Sequence, residues 1–208
     1  TKQFDTAFVV HSTKSIVDSA SVSAAACRMN SPILFVGNDI KSFKEKHGNY
    51  TFNNTYLIGG ATAKLSKNFQ NPIIIYGENR NDTSMKIADT FFKNSKSIFL
   101  AKNGAQRFSE LIDCVTVAPL AANEKSPIIF ASTKNNLTIT EKIFFNKLNP
   151  NTITLIGGGL HNKYDEIIGK TPPKKDYVLL NVAQINQNKA GLPMGCEAAS
   201  LLQCLHYK

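Results

Sequence analysis

The chain has 208 residues, 42% of them hydrophobic, with 24 Lys and Arg against 15 Asp and Glu and a formal net charge of +9. That length and apolar content fit one large or two small domains with a real core. No run of about 18 apolar residues is present, which excludes a membrane-spanning helix, and the opening TKQFDTAFVV lacks the charged-then-apolar order of a signal peptide. Thr1 in place of Met is read as a sign that an upstream segment has been removed. Only Arg28, Arg80 and Arg107 among the basic residues are arginines. Nucleic-acid readers lean on Arg for bidentate contacts, so no nucleic acid is expected. A lysine-rich surface is instead a diffuse positive field suited to an anionic polymer.

In chain order, the dominant feature is an internal repeat. TAFVVHS (6–12) pairs with KSIFLAK (96–102) at an offset of 90, AACRMNSPILFV (25–36) with LAANEKSPIIFA (120–131) at 95, and TYLIGGATAKLS (55–66) with ITLIGGGLHNKY (153–164) at 98. The order is kept in both copies, and the drift implies small loop insertions. Each copy reads as alternating strand and helix. In the second, PIIIYG (72–77) is a strand, and DTSMKIADTFFKN (82–94) is a helix with Asp82 as N-cap candidate. SIFLAK (97–102) is a strand, and QRFSELIDCVTVAPLAANEK (106–125) is a helix expected to bend or break before Pro119. PIIFAS (127–132) is a strand, and TITEKIFFNKL (138–148) is a helix with the capping-box spacing Thr138…Glu141. TITLIGGG (152–159) is a strand followed by a short helix to about Ile168. Strands of continuous apolar character between amphipathic helices predict an α/β fold, two tandem units with parallel sheets covered on both faces. The first copy (1–71) lacks a counterpart of PIIIYGENRNDTS, so it is incomplete; the second spans 72–168. GKTPPKKD (169–176) is a linker, and 177–208 is a separate strand–loop–helix segment.

Cys27, Cys114, Cys196 and Cys204 show neither a disulfide framework nor a metal spacing, and no cofactor is expected. Cys27 and Cys114 lie in Ala-rich stretches and are expected in the core, as is Cys204. The Gly59-Gly60 and Gly157-Gly158-Gly159 turns lack the G-x-G-x-x-G spacing, which rejects a dinucleotide site. They either permit tight strand-to-helix turns or let a ligand approach.

The second copy resembles the cell wall binding repeat 2 family of Gram-positive surface proteins. The resemblance is carried by Gly77-Glu78-Asn79-Arg80-Asn81-Asp82-Thr83, by Ala118-Pro119-Leu120-Ala121-Ala122 with Ser126-Pro127-Ile128-Ile129, and by Leu155-Ile156-Gly157-Gly158. The first copy keeps Ser31-Pro32-Ile33-Leu34 and Leu57-Ile58-Gly59-Gly60 but not the Ala-Pro-Leu-Ala box. Over about residues 4–168 this implies a secreted protein held noncovalently at the cell wall by an anionic, teichoic-acid-like or other secondary polymer. Family members usually carry three repeats, and this chain has under two. Arg80, Asn79, Thr83 and Gly77 are the candidate ligand-binding residues. Arg80 sits where a strand turns into a helix, and Thr83 and the amides after Asp82 are positioned to hold a phosphate or carboxylate. The alternative for Arg80 is a structural pairing with Asp82 or an inter-repeat carboxylate.

Residues 178–205 resemble the start of a papain-like, C39-like cysteine peptidase domain, through Leu180-Asn181-Val182-Ala183-Gln184-Ile185-Asn186-Gln187 and Leu192-Pro193-Met194-Gly195-Cys196-Glu197-Ala198-Ala199-Ser200-Leu201. Ala183 stands where that family has Pro. The resemblance implies Cys196 as nucleophile and Gln187 as oxyanion-hole donor. A thiol at a helix start has a lowered pKa, and a Gln amide suits a tetrahedral oxyanion. The general base is missing. His206 lies ten residues beyond Cys196, about 15 Å along a helix, and His11, His47 and His161 belong to the repeats. This piece is therefore expected to bind and not to hydrolyse a peptide substrate. The competing expectations are a wall-binding adhesion protein with a decayed peptidase segment, and an intracellular α/β enzyme acting on a phosphorylated small molecule.

Overall fold

A computed structural model describes residues 2–48 and 50–168; the expected linker and the segment carrying Gln187, Cys196 and Cys204 lie outside them. Two all-parallel sheets are present. The first runs β2 (Ile33–Val36), β1 (Lys2–His11), β3 (Tyr50–Ile58), β4 (Ile73–Ile75); the second runs β6 (Ile128–Ala131), β5 (Ser97–Lys102), β7 (Thr152–Ile156). The helices between them are α1 (Ile16–Arg28), α2 (Ile40–His47), α3 (Gly60–Ala63), α4 (Arg80–Phe91), α5 (Ile112–Asn123), α6 (Ile139–Leu148) and α7 (His161–Ile168).

The strands are parallel and covered on both faces because their side chains alternate between two apolar layers. In β1, Phe8 and Val10 face one core shared with α1 and α5, together with Phe99, Ala101 and Phe130 of the second sheet. Val9 faces the other way, with Val36 and Leu57, onto α2 through Ile40 and Phe43. In β5, Leu100 and Ile98 face a layer formed by Met85 and Ala88 of α4 and Phe144, Phe145 and Leu148 of α6.

The repeat is real at the level of register. Val9 opposes Leu34 and Leu57 as Leu100 opposes Ile129 and Leu155. This sets the offset of the first strand at 91, where the sequence match suggested 90. One residue matters, because a slip of one turns every side chain of a strand to the opposite face.

The strand at the front of the second copy joins the first sheet. Tyr56, Leu57 and Ile58 pair with Ile73, Ile74 and Ile75. The helix that follows serves the second sheet: Ser84 Oγ of α4 accepts a hydrogen bond of 3.0 Å from Phe130 N, capping an amide on the outer edge of β6. Residues 73–91 thus bind one unit through a strand and the other through a helix.

Three local expectations are corrected. The N-cap of α4 is Asn79, not Asp82; its side chain accepts from Asn81 N and Asp82 N, and Asp82 takes a first-turn position favourable to a carboxylate. α5 continues through Pro119. Pro removes one helical hydrogen bond there, a loss tolerated on the exposed face that carries Val115 and Leu120. Cys27 is exposed, and Cys114 is buried as expected. The capping box at Thr138 and Glu141 is present in full.

Candidate functional site

The turn Gly77–Thr83 is built by its own hydrogen bonds. Gly77 is required there: a Cβ on it would lie 2.2 Å from Asp82 Cβ. Asn79 Oδ1 accepts from Asn81 N at 2.8 Å and Asp82 N at 3.1 Å. Thr83 Oγ1 donates to Asn79 O at 3.0 Å and accepts from Gly77 N at 3.0 Å. Thr83 N donates to Asn79 O. The first amides of α4, expected from the sequence to face an anion, are therefore already capped, and Gly77, Asn79 and Thr83 shape the turn.

Arg80 is the member of the predicted set with charge to offer. Its Nη1 donates to Asn103 O at 2.8 Å, across to the loop after β5. Asn103 Nδ2 donates to Asn81 Oδ1 at 3.0 Å, and Asn81 Nδ2 donates to buried Glu141 at 2.7 Å. This network fixes where the guanidinium stands. No ion pair with Asp82 forms among the described residues.

Arg80 borders a cleft of about 380 Å³ between the start of α4 and the start of α1, also lined by Lys14, Ser15, Asp18, Gly60 and Asn79. Lys14 is exposed and Asp18 is 6% exposed. Burial pushes the Asp18 acid up to about 7, opposed in part by the Arg80 charge. Asp82 is also held above the usual carboxylate range, first by burial and then by Glu78 and Glu141. The cleft thus carries Lys14, Arg80 and the exposed Glu78 on its rim and Asp18 at its wall.

The sequence reading missed Asp18. Its signal was in the repeat: Val17-Asp18 aligns with Ile112-Asp113 at the same offset of 95 that relates Ser31-Pro32 to Ser126-Pro127. Both aspartates meet the glycine that ends the neighbouring strand. A Cβ on Gly59 (φ +89°) would lie 2.2 Å from Asp18 Oδ2, and one on Gly157 (φ +79°) would lie 2.8 Å from Asp113 Oδ2. For these two glycines the backbone conformation itself demands the residue. No group of residues able to hold a metal occurs among the described residues. Burial pushes the Cys114 thiol up to about 12, which makes it a core residue and no nucleophile. No described helix is long and apolar enough to cross a membrane.

Tandem parallel α/β units joined through the strand and helix of one shared segment define a repeat-built α/β module. Residues 74–161 match the family model described as Cell wall binding domain 2 (CWB2). Among solved structures, Cwp8 from Clostridium difficile is similar with a TM-score of 0.66 and 28% identity, covering 80% of this chain and 29% of that one. Cwp6 from Clostridium difficile shares the fold with a TM-score of 0.57 and 18% identity, covering 76% of this chain and 26% of that one. The chain therefore spans less than a third of the length of either. No curated protein matches it.

Proposed function

We propose that the described part of this chain anchors a secreted surface protein noncovalently to an anionic polymer of a Gram-positive cell wall, with Arg80 and Lys14 as the polymer's cationic contacts. The observation that carries this reading is the cleft they share at the junction of the two repeats, within and beside the CWB2 match. The net charge of +9 supports it by drawing a polyanion to the surface. The test is co-sedimentation with purified Gram-positive walls before and after chemical removal of their anionic polymers. Binding that disappears with the polymer and weakens about tenfold or more in Arg80→Ala supports the reading, since a charge-assisted contact carries about 1.5–3 kcal/mol. Equal binding to stripped walls overturns it.

A second part of the proposal concerns residues 177–208, which lie outside the family match. The Gly195-Cys196-Glu197 sequence and Gln187 support a C39-like cysteine peptidase activity in the protein from which this chain comes. Peptide cleavage by that protein, abolished in Cys196→Ala, is the expected result; unchanged cleavage in the variant removes this part and leaves the anchor untouched.

A further inference from the structure

The Asp18 carboxyl has no role in the turn just described. Its Oδ1 is buried and has no hydrogen-bond partner among the described residues. A buried polar atom without a partner is costly, and native structures retain few of them. Asp18 lines the cleft that Lys14 and Arg80 rim. Arg80 does not satisfy it: the guanidinium is tied to Asn103 O, and no ion pair forms between Arg80 and Asp18 among the described residues. Of the other elements at the cleft, α3 contributes Gly60 and Ala61, which do not titrate, and the turn before α4 contributes Glu78. Ser15 Oγ is used by Ala61 N at 3.3 Å.

From this placement we infer that Asp18 is a specificity-determining residue: it accepts a hydrogen bond from a hydroxyl of the bound anion, beside the anionic group held by Arg80 and Lys14. The inference rests on the proposed anchoring function and adds to it the chemistry of the repeating unit, which must carry a hydroxyl close to its charge. A hydroxyl fits better than an ammonium donor. An ammonium would have to be desolvated beside Lys14 and Arg80, a cost that the exposed Glu78 does little to offset. A neutral donor supplies the missing hydrogen bond without that cost, and it serves the carboxyl whether or not it holds its proton, since one carboxyl oxygen accepts in both states.

The test is a matched pair of small phosphates, followed by NMR of the full 208-residue chain at the Gly60, Ala61 and Gly77 amides. Glycerol 3-phosphate and propyl phosphate have the same charge and the same carbon skeleton length, and only the first carries hydroxyls. The wild-type chain is expected to bind glycerol 3-phosphate about tenfold more tightly, the effect of one hydrogen bond of ordinary net strength. Asp18→Ala should bring the two within about twofold while keeping the affinity for propyl phosphate, and Arg80→Ala should weaken both. Asp18→Leu, which fills the space of the carboxyl and offers no acceptor, covers the case in which the alanine variant fails to fold. Equal wild-type affinity for the two phosphates, or a preference that survives in the Asp18 variants, overturns the inference. So does failure of both phosphates to bind. If wall co-sedimentation persists in any of these cases, the anchoring function stands without the hydroxyl contact; if it is also lost, both fall.

Discussion

The two units are built on one plan and finished differently. In the first sheet the β3 edge is covered by β4, and the β2 edge has no strand beside it among the described residues, with Phe35 48% exposed. In the second sheet the β6 edge is covered by α4, leaving Phe130 1% exposed, and β7 ends the sheet among the described strands. The helices follow suit. α1 is buried along much of its length, with Ala20, Val22, Ala24 and Ala25 at 2% exposure or less, whereas α5 exposes Ile112, Val115 and Leu120 at 61%, 56% and 50%. Small residues let α1 be approached from α4, α5 and β6 at once, while the larger residues of α5 stand outward. The segment 73–91 accounts for the difference. It is shared between the two, its strand finishing the first sheet and its helix covering the β6 edge of the second.

The sharpest way to break this comparison is through the paired phenylalanines Phe35 and Phe130, which occupy matching edge positions at an offset of 95. Phe130→Ala is expected to destabilise by about 3–5 kcal/mol, a full core truncation. Phe35→Ala, on the β2 edge, should cost under about 1 kcal/mol. Urea midpoints of the two variants measure the difference, and equal shifts would mean that the exposed edge is covered in solution.

Next come the matching glycines. Gly59→Ala forces a left-handed backbone and places a Cβ against buried Asp18 and Ser15, at 2.2 and 2.6 Å. About 3 kcal/mol or more is expected. Gly157→Ala has the same backbone strain, but it meets Asp113 and Lys102, an exposed carboxylate and the stem of a flexible side chain, so about 1–2 kcal/mol is expected. Thermal unfolding ranks the pair; a reversed order would mean that Asp18 moves aside more freely than its burial implies. A smaller effect, about 1–2 kcal/mol, is expected for Ser84→Ala, which leaves the Phe130 amide on the β6 edge without its acceptor. Faster hydrogen exchange confined to the Phe130 amide and its neighbours is the accompanying signal.

Much of this was legible in advance. Short apolar runs gave the strands, and Thr138…Glu141 gave the start of α6, because both signals are local. The partner of each element was not legible. Ile73–Ile75 reads as the front of the second copy, yet it pairs with Tyr56–Ile58, since an apolar strand carries no mark of which sheet receives it. The helix start moved from Asp82 to Asn79 because both residue types cap, and only the chain path before them decides which one is extended. Of the four candidate ligand residues, three turned out to be occupied within the turn, a fact visible only when backbone donors are traced to their acceptors. Asp18 was recoverable from the Val17-Asp18 and Ile112-Asp113 match, but the cleft it lines is completed by Arg80 and Thr83 of α4, from outside the first repeat.

The burial of Asp18 yields the smallest and most specific prediction. The folded chain holds the Asp18 proton up to about pH 7, against an ordinary value of 3.8. Folding therefore favours the protonated acid. Below about pH 4 both states are protonated and the residue brings no pH dependence. Between about 4 and 7 the unfolded chain loses the proton first, and stability falls as pH rises; above about 7 the loss is complete and constant. Asp18→Asn removes this ionisation, so the variant should gain on wild type as pH rises through that window. The gain at pH 8 is expected to be about 1 kcal/mol net, because the amide relieves the buried charge but brings a donor that needs its own partner. The same substitution at exposed Asp113 should change stability at pH 8 by less than about 0.5 kcal/mol. Urea unfolding of the wild type and both variants at pH 4 and pH 8 separates the sites. A curve for Asp18→Asn parallel to that of the wild type would mean that water reaches the carboxyl and that the first unit is less tightly finished than the second.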